Sequence, residues 1–366
     1  MTPERNRQMS EVFKILVVNP GSTSSKLGLF ENEKMIAEKK INYSSEELAR
    51  FPKTNDQVDY RRLGIDEFLV EHNVKPHTLS AVVGRGGLLK PIPSGTYRVT
   101  PSILEDLQSA RYGEHASNMG ALLAHTFTKD FSIPSFIVDP VVVDEYQTLA
   151  RYSGLKEMPR VPIWHALNVM AVVRQTCKNE GFEISEDNFV VAHIGGGISV
   201  SAIERGRCID VSNGLEAGPF TPERSGALPT IQLVNLCFSG KYTHAEIKKL
   251  LVGRGGLVNH LGTSSLMEVE NRINDGDKAC QEVFDAMCYQ IAKEIGAYVA
   301  VLRGQVRRII ITGGGAKCPL LVENVTSYVK SFAPVHVVPG EDELSALAMG
   351  ALRVLRNETE PREYTA

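Results

Sequence analysis

Two stretches of the chain share one pattern of hydrophobic and polar positions. Residues 14–30 read KILVVNPGSTSSKLGLF, which is an apolar run, a loop of small polar residues and then alternating apolar positions. Residues 189–207 read FVVAHIGGGISVSAIERGR and follow the same order. Each pattern predicts a strand, a tight loop and a second strand. Two such hairpins half a chain apart indicate a duplicated domain, with chance as the alternative because hairpins with glycine loops are common.

The rest of the chain alternates short apolar runs with segments of helical spacing. The runs predict strands over 80–84, 135–138, 308–312 and 335–338. The spacing predicts helices over 115–128, 164–177, 279–302 and 343–355. This alternation of strands and helices predicts an α/β fold. We expect about ten residues at each end of the chain to be frayed.

Composition and charge narrow the class of protein. A length of 366 residues suggests two domains, and a net charge of −3 argues against a protein that coats nucleic acid. No apolar run is long enough to cross a membrane, and the first ten residues lack the apolar part of a secretory signal, so we expect a cytoplasmic protein. The six cysteines form no C-x-x-C pair, which favours reduced, mostly buried thiols over a zinc site.

Three loops rich in glycine or serine follow predicted strands, at residues 20–25, 195–197 and 313–315. Successive backbone N–H groups in such turns bind anions, phosphate in particular. One loop of this kind is usually only a turn, whereas three at strand ends favour a nucleotide site. Neither G-x-x-x-x-G-K-[ST] nor a G-x-G-x-x-G after a strand occurs. We therefore expect a phosphate site built from separate loops.

Charged side chains at predicted strand ends are the first candidates for chemistry. Arg85 precedes two glycines and Arg224 lies in TPERSG, where an arginine suits bidentate binding of a carboxylate or phosphate. A surface ion pair is the alternative for both. Asp139 ends a predicted buried strand, so it is either used chemically or caps the next segment.

Three histidines and one acidic run are less specific candidates. His115, His165 and His193 stand near element ends, where an imidazole can donate to a phosphoryl group, although a lone histidine is more often structural. Residues 341–343 read EDE at the start of the last predicted helix. Acidic residues are favoured there by the helix dipole, and they can also bind Mg²⁺ through water.

Taken together, these segments resemble the acetate and butyrate kinase family. The run ILVVNPGSTSSK resembles the first phosphate loop of that family, and the resemblance continues in order through residues 84–87, 134–140, 190–201, 220–226, 309–317 and 338–347. The loops GRGGLLKPIPSG and AHIGGGISV are more similar to butyrate kinases than to acetate kinases. The family belongs to the actin-like, sugar-kinase-like and Hsp70-like ATPases. The resemblance implies two similar ribonuclease H-like domains with a cleft between them, which we place at 1–160 with 344–366 and at 161–343.

The resemblance also implies a reaction and a role for each candidate. Such enzymes move the γ-phosphoryl group of ATP to a short carboxylate, giving an acyl phosphate and ADP, and also run in reverse. The implied catalytic residues are Arg85, Asp139, His165 and Arg224. The implied ligands of the carboxylate and phosphate are Asn19, Ser22, Gly86, Gly87 and His115. The implied nucleotide-binding residues are His193, Gly195, Gly196, Gly197, Gly313, Gly314, Gly315 and Ala316, and the residues near Mg²⁺ are Asn19, Asp342 and Glu343.

The resemblance bears on the substrate as well. Gly86 and Gly87 stand where acetate kinases carry bulkier side chains, so we expect room for butyrate or isobutyrate, with an acetate or propionate kinase as the alternative. Ser265 and Met267 stand where relatives carry an acidic residue and an arginine that frame adenosine, so the adenine pocket is expected to differ. Two further alternatives are an actin-like or Hsp70-like ATPase that acts on proteins and a non-catalytic relative. We expect no nucleic-acid or membrane partner, and a homo-oligomer.

Overall fold

The structure is a computed structural model that describes residues 11–365. Its strands are β1 (Lys14–Pro20), β2 (Ser24–Glu31), β3 (Lys34–Asn42), β4 (Ala81–Arg85), β5 (Thr96–Arg98), β6 (Ser135–Val138), β7 (Asn188–Ile194), β8 (Ile198–Glu204), β9 (Arg207–Val211), β10 (Arg308–Gly313) and β11 (Val335–Pro339). Its helices are α1 (Ser45–Leu48), α2 (Val58–Glu71), α3 (Pro101–Gln108), α4 (Asn118–Phe131), α5 (Ala166–Glu180), α6 (Thr230–Cys237), α7 (His244–Leu251), α8 (Gly256–Leu261), α9 (Leu266–Asn274), α10 (Lys278–Val301), α11 (Pro319–Val329) and α12 (Glu343–Leu355). The predicted frayed N-terminal residues lie outside the described part. The prediction is wrong for the C-terminal end, where Tyr364 is 4% exposed and its Oη donates to Asp106 at 2.6 Å.

The described chain divides into two compact units. The first contains residues 11–90, 95–140 and 343–365, and the second contains 91–94 and 141–342. The first boundary differs from the expected residue 160 because the segment after Pro140 packs with the second unit. There Tyr146 Oη donates to the carbonyl of Val211 at 2.6 Å, and Trp164 Nε1 donates to the carbonyl of Val143 at 2.9 Å.

The first unit is built on a six-stranded sheet in the order β3-β2-β1-β4-β6-β5. β1 is antiparallel to β2 and parallel to β4, and β4 is parallel to β6. The carboxyl ends of β1, β4 and β6 therefore meet at one edge of the sheet. Asn19, Arg85 and Asp139 stand at or just beyond those three ends, which is where open α/β sheets bind ligands.

The second unit is built on a five-stranded sheet in the order β11-β10-β7-β8-β9. β7 is antiparallel to β8 and parallel to β10, which is parallel to β11. His193, Gly313 and Gly340 stand at or next to the carboxyl ends of the three parallel strands. The second and third glycine-rich loops thus begin at the same sheet edge.

The two sheets repeat one topology. β3-β2-β1-β4-β6 and β9-β8-β7-β10-β11 have the same strand order and the same parallel and antiparallel pairings, and β5 is an addition to the first sheet. Even the irregularities correspond, since the β2–β3 register shifts after Leu29 and the β8–β9 register shifts after Ala202. This repeat confirms the expectation of two similar α/β domains.

Both faces of the second sheet are covered. Val190 and Ala192 of β7 pack in a cluster with α10 and α11, whereas Phe189 and Val191 pack on the other side with α5. In the first unit, Leu16 and other residues of one sheet face pack with α2 and α4, and α12 packs against β1, β4 and β6. Buried sheets of this kind read as continuous apolar runs, which is why the runs in β1 and β7 stand out in the sequence.

Helix α6 is apolar but has no buried residue. Ile231 is 73% exposed and Val234 51% exposed, and Phe238, directly after the helix, is 87% exposed. Cys237 is also exposed, so its aliphatic neighbours LVNLCF do not indicate burial. The other five cysteines are buried and all six are free thiols, as the sequence predicts. Within residues 11–365, no helix is long and apolar enough to span a membrane.

Candidate active site

The first phosphate loop joins β1 to β2. Asn19 is 8% exposed at the end of β1, and its Nδ2 donates to Oε2 of Glu343 at 2.6 Å. Gly21 N–H donates to the carbonyl of Ser24 at 2.7 Å, which closes the turn. The side chain of Ser22 is exposed at the tip of this turn. The loop therefore presents a buried amide and an exposed hydroxyl at the same sheet edge.

Arg85 at the end of β4 is held by a carboxylate. Its Nη1 donates to Oε1 of Glu343, the first residue of α12, so one carboxylate accepts from both Arg85 and Asn19. The charged ends of both side chains remain partly exposed. The contact with Glu343 is an ion pair within the protein, which is the alternative that the sequence leaves open for Arg85, so its binding of a substrate carboxylate or phosphate stays a prediction.

The two positions after Arg85 require glycine for a reason that the sequence does not reveal. A Cβ at Gly86 would lie 2.6 Å from Cβ of Pro140, and a Cβ at Gly87 would lie 2.4 Å from Oδ1 of Asn118. Both positions thus require glycine for packing inside the first unit. The interpretation that they make room for a longer acyl chain is not needed to explain them.

Asp139 is almost completely buried, with 1% of its surface exposed. Its backbone N–H donates to the carbonyl of Gly95 at 3.0 Å, and its Oδ1 accepts from the N–H of Gly95 at 2.6 Å. The residue has a positive φ of 37°, a conformation that aspartate tolerates better than most side chains but that still costs energy. Asp139 therefore ties the end of β6 to Gly95, the residue before β5, at the sheet edge that carries the candidate site.

His115 precedes α4 in the first unit. The N–H of Ser117 donates to its Nδ1 at 3.2 Å, and the Ser117 hydroxyl lies 2.7 Å from the same nitrogen. A backbone donor at Nδ1 leaves the proton of the neutral ring on Nε2. The pKa of His115 is lowered by partial burial and, less strongly, by the positive charge of Arg85. The structure thus favours a neutral imidazole that donates from Nε2.

His165 and His193 form one stacked pair in the second unit, with ring centroids 3.8 Å apart. Nδ1 of His165, the residue before α5, lies 2.9 Å from Oγ of Ser199 on β8. Nδ1 of His193 accepts from Nδ2 of Asn168 at 2.8 Å, and its Nε2 lies 3.1 Å from Oε1 of Glu341. Sequence reasoning names both histidines but misses their anchors, Ser199 and Asn168, which carry no motif of their own.

The second glycine-rich loop is fastened to the segment that carries Arg224. Thr221 Oγ1 donates to the carbonyl of Gly196 at 2.6 Å. A Cβ at Gly197 would lie 2.4 Å from Nη1 of Arg224, so only glycine leaves space for the guanidinium. Arg224 donates to the carbonyl of Gly214. Burial lowers the pKa of Arg224, but a guanidinium keeps its charge at neutral pH.

The third loop lies against the end of β7. Gly313 has a φ of 88°, and a Cβ there would lie 2.4 Å from the carbonyl oxygen of Ile194, while a Cβ at Gly315 would lie 2.5 Å from the Ile194 side chain. Residues Gly314–Lys317, which include Ala316, form a 3₁₀ turn rather than an open loop. The glycines thus bring this turn next to the second loop, close to His193 and Gly195.

The acidic run 341–343 spans the boundary between the units. Glu341 lies next to His193 in the second unit, Glu343 holds Arg85 and Asn19 in the first, and Asp342 stands between them as the last residue of the second unit. Within the described residues, no group of three or more His, Cys, Asp or Glu side chains forms a closed metal cage. The oxygens of Glu343 and Asn19 are nevertheless of the type that Mg²⁺ prefers.

Comparison with known proteins identifies the family and the fold of the chain. The chain is 48% identical over 353 residues to the probable butyrate kinase 2 of Caldanaerobacter subterraneus subsp. tengcongensis, which covers 96% of this chain and 100% of that protein. Its structure is similar to Porphyromonas gingivalis acetate kinase, with a TM-score of 0.76, 20% identity and coverage of 94% and 100% of the two chains. It is also similar to a propionate kinase from Francisella tularensis, with a TM-score of 0.71, 19% identity and coverage of 92% and 98%. The two structural similarities confirm the predicted actin-like fold. The sequence profile of the acetokinase family matches residues 165–335. Together with the 48% identity over nearly the whole chain, this match shows that the chain belongs to the acetokinase family.

Proposed function

We propose that the protein is a butyrate kinase, which transfers the γ-phosphoryl group of ATP to the carboxylate of butyrate or a similar short or branched fatty acid. The near-full-length identity of 48% to a probable butyrate kinase carries this proposal. The products are an acyl phosphate and ADP, and the reaction is reversible. The polar groups at both sheet edges are of the kind that such a transfer needs.

Arg85 is the proposed ligand of the acyl carboxylate. The same guanidinium binds the carboxylate of Glu343 in this structure, which supports a site of the right charge and shape. A carboxylate is already a nucleophile, so the transfer needs no strong base, and positioning and charge neutralisation supply most of the catalysis. Asp139, which holds the backbone beyond Arg85, is proposed to position this part of the site.

Arg224, His165 and His193 are the proposed stabilisers of the transferring phosphoryl group. Arg224 brings a positive charge next to the second glycine-rich loop, and the two imidazoles are fixed as a pair on the same unit. His115 and the first loop, with Ser22, are proposed to bind phosphate from the first unit. Residues 195–197 and 313–316 are proposed to bind the nucleotide.

Mg²⁺ is the proposed metal of the reaction. It usually keeps several waters and binds through one or two carboxylates together with substrate phosphates. Glu343, with Asn19 beside it and Asp342 before it, fits that mode better than a closed cage. When bound, the ion would neutralise charge on the phosphates.

A substrate series tests the proposed function. Acyl phosphate is trapped with hydroxylamine and measured as hydroxamate with butyrate, isobutyrate, propionate and acetate. We expect the highest kcat/KM for a four-carbon acid, with substantial activity on propionate because an apolar pocket discriminates weakly between chain lengths. A higher kcat/KM for acetate than for butyrate would favour the acetate kinase alternative. ATP hydrolysis that does not depend on any carboxylate would favour an ATPase that acts on proteins.

We also propose that the protein is a cytoplasmic homo-oligomer. The exposed apolar residues of and after α6, among them Ile231, Val234 and Phe238, support self-association because water-exposed side chains of this size are costly.

A further inference from the structure

Arg61 on α2 is a completely buried arginine beneath the first phosphate loop, with 0% of its surface exposed. Nη1 donates to the carbonyls of Gly21 and Ser24 at 2.8 and 3.0 Å, and Nη2 donates to the carbonyl of Ser22 at 2.9 Å. Nε and Nη2 both donate to Oε1 of Gln57, at 3.1 and 2.8 Å. One guanidinium thus holds three carbonyl oxygens of a single loop.

This buried charge has no acidic partner among residues 11–365. Buried ionised side chains are normally paired with an opposite charge, because transfer out of water is otherwise costly. Here the compensation comes only from neutral groups, namely loop carbonyls, the Gln57 amide, the Ser25 hydroxyl and the ring of Tyr43, whose centroid lies 4.5 Å from Cζ. Burial lowers the pKa of Arg61, but a guanidinium still remains protonated.

The carbonyl contacts determine where the loop's N–H groups point. In a trans peptide the C=O and the following N–H point in opposite directions. Because the carbonyls of Gly21 and Ser22 face Arg61, the N–H groups of Ser22 and Thr23 face away from it. Neither N–H donates to any group in the described part of the chain, and both side chains are exposed. Two successive N–H groups without a protein acceptor, facing away from a buried cation, are suited to binding an anion.

We propose that Arg61 is the positioning residue of the first phosphate loop and that its uncompensated charge strengthens phosphoryl binding there. The inference rests on the proposed function, since it takes the phosphoryl group of that reaction as the ligand. Arg61 does not contact the ligand, because the loop lies between them. It orients the loop's donors and places a positive charge behind them, and an anion bound at the loop supplies the missing negative charge.

The substitution Gln57→Glu separates this role from a purely structural one. The change keeps the shape of the side chain and gives Arg61 a carboxylate at the position of the amide oxygen. A bidentate pair of this kind should keep the loop in place, and it cancels the charge beneath it. If the role of Arg61 is purely structural, Gln57→Glu should leave phosphate binding unchanged and leave the stability of the protein unchanged or improved.

The experiment compares Gln57→Glu and Arg61→Lys with wild type, with Arg62→Lys as the matched control. Arg62 is the next residue on α2, but its partners are Asp66, Asp130 and the ring of Phe127 rather than the loop. Binding of inorganic phosphate is measured by titration calorimetry and by thermal unfolding at constant ionic strength. Steady-state kinetics with the hydroxamate assay separates KM for ATP from kcat.

We expect inorganic phosphate to stabilise the wild-type protein against unfolding, and Gln57→Glu to remain folded with phosphate affinity at least about fivefold weaker. We expect KM for ATP to rise in Gln57→Glu and Arg61→Lys but not in Arg62→Lys. Unchanged phosphate affinity in Gln57→Glu, or no stabilisation of wild type by phosphate, would overturn the proposal. If Arg61→Lys does not fold, the phosphate affinity of Gln57→Glu and the stabilisation of wild type by phosphate still test the proposal. Phosphate binding requires no transfer, so a protein that binds phosphate but phosphorylates no carboxylate contradicts the proposed function alone.

Discussion

The imidazole rings of His165 and His193 lie 3.8 Å apart between centroids, with their planes inclined by only 14°. Each ring is held through Nδ1 by a different side chain, Ser199 for the first and Asn168 for the second. A partner at Nδ1 determines which nitrogen carries the proton and how the ring is oriented. The orientation of both rings thus depends on residues that have no direct part in the reaction.

Ser199→Ala should lower kcat by about tenfold, because His165 loses the hydrogen bond at Nδ1 that orients it. KM for ATP and for the carboxylate should change little. Ser201→Ala is the control, since Ser201 is also buried on β8 but contacts the carbonyl of Val191 instead. Equal kcat values for both variants would show that Ser199 does not position His165 for the reaction.

Gly197→Ala should lower kcat/KM for butyrate nearly as much as Arg224→Ala. The new Cβ would lie 2.4 Å from Nη1 of Arg224 and displace the guanidinium. Loss of one such donor typically lowers the rate by about 10²–10³. Gly154→Ala is the control because a Cβ there meets no atom within 4 Å. Activity close to wild type in Gly197→Ala or Arg224→Ala, measured as kcat/KM for butyrate, would contradict the role of Arg224.

The pKa of the His115 ring should lie below its ordinary value of 6.5 in the folded protein, as measured by NMR titration. Burial is the main cause and Arg85 the second, so Arg85→Gln should raise this pKa only part of the way. The exposed Arg50→Gln should leave it unchanged. The unfolded chain binds the proton at a higher pH than the folded one, so His115 contributes stability above about pH 6.5 that is lost as the pH falls. An unchanged pKa in Arg85→Gln would show that the two groups do not interact.

Phe238→Ser should weaken self-association, because it removes a large apolar side chain that is 87% exposed next to α6. Light scattering coupled to size-exclusion chromatography over a range of protein concentrations measures the change. Val70→Ser on α2 is the control, since Val70 is 76% exposed on the other unit. If Phe238→Ser and wild type have the same mass at every concentration, the α6 surface is not the interface.

Much of the fold is predictable because its signals are local. The apolar runs of β1 and β7 and the small-residue loops after them identify the two hairpins, and α12 begins and ends where its spacing predicts. The strand ends also identify Arg85 and Asp139 as site candidates. These features depend on neighbours a few residues away.

Contacts between distant residues are what the sequence does not reveal. Glu343 binds Arg85 across 258 positions, and nothing near either residue indicates the pairing. Arg61 lies in an ordinary helix, and only the folded chain brings it beneath the loop. The same holds for Gly86. Its sequence position suggests an open pocket, whereas the structure shows that close packing against Pro140 requires glycine there.

The return of residues 343–365 to the first unit has a consequence for synthesis on the ribosome. Helix α12 packs on β1, and Gly350 approaches Val138 so closely that a Cβ would lie 2.4 Å from its side chain. Tyr364 Oη donates to Asp106 at 2.6 Å. The first unit therefore waits incomplete while the ribosome adds residues 141–342, for roughly 10–40 s at bacterial and eukaryotic elongation rates. The first unit is thus completed last, and the face of its sheet that α12 covers in the folded protein stays exposed during that interval.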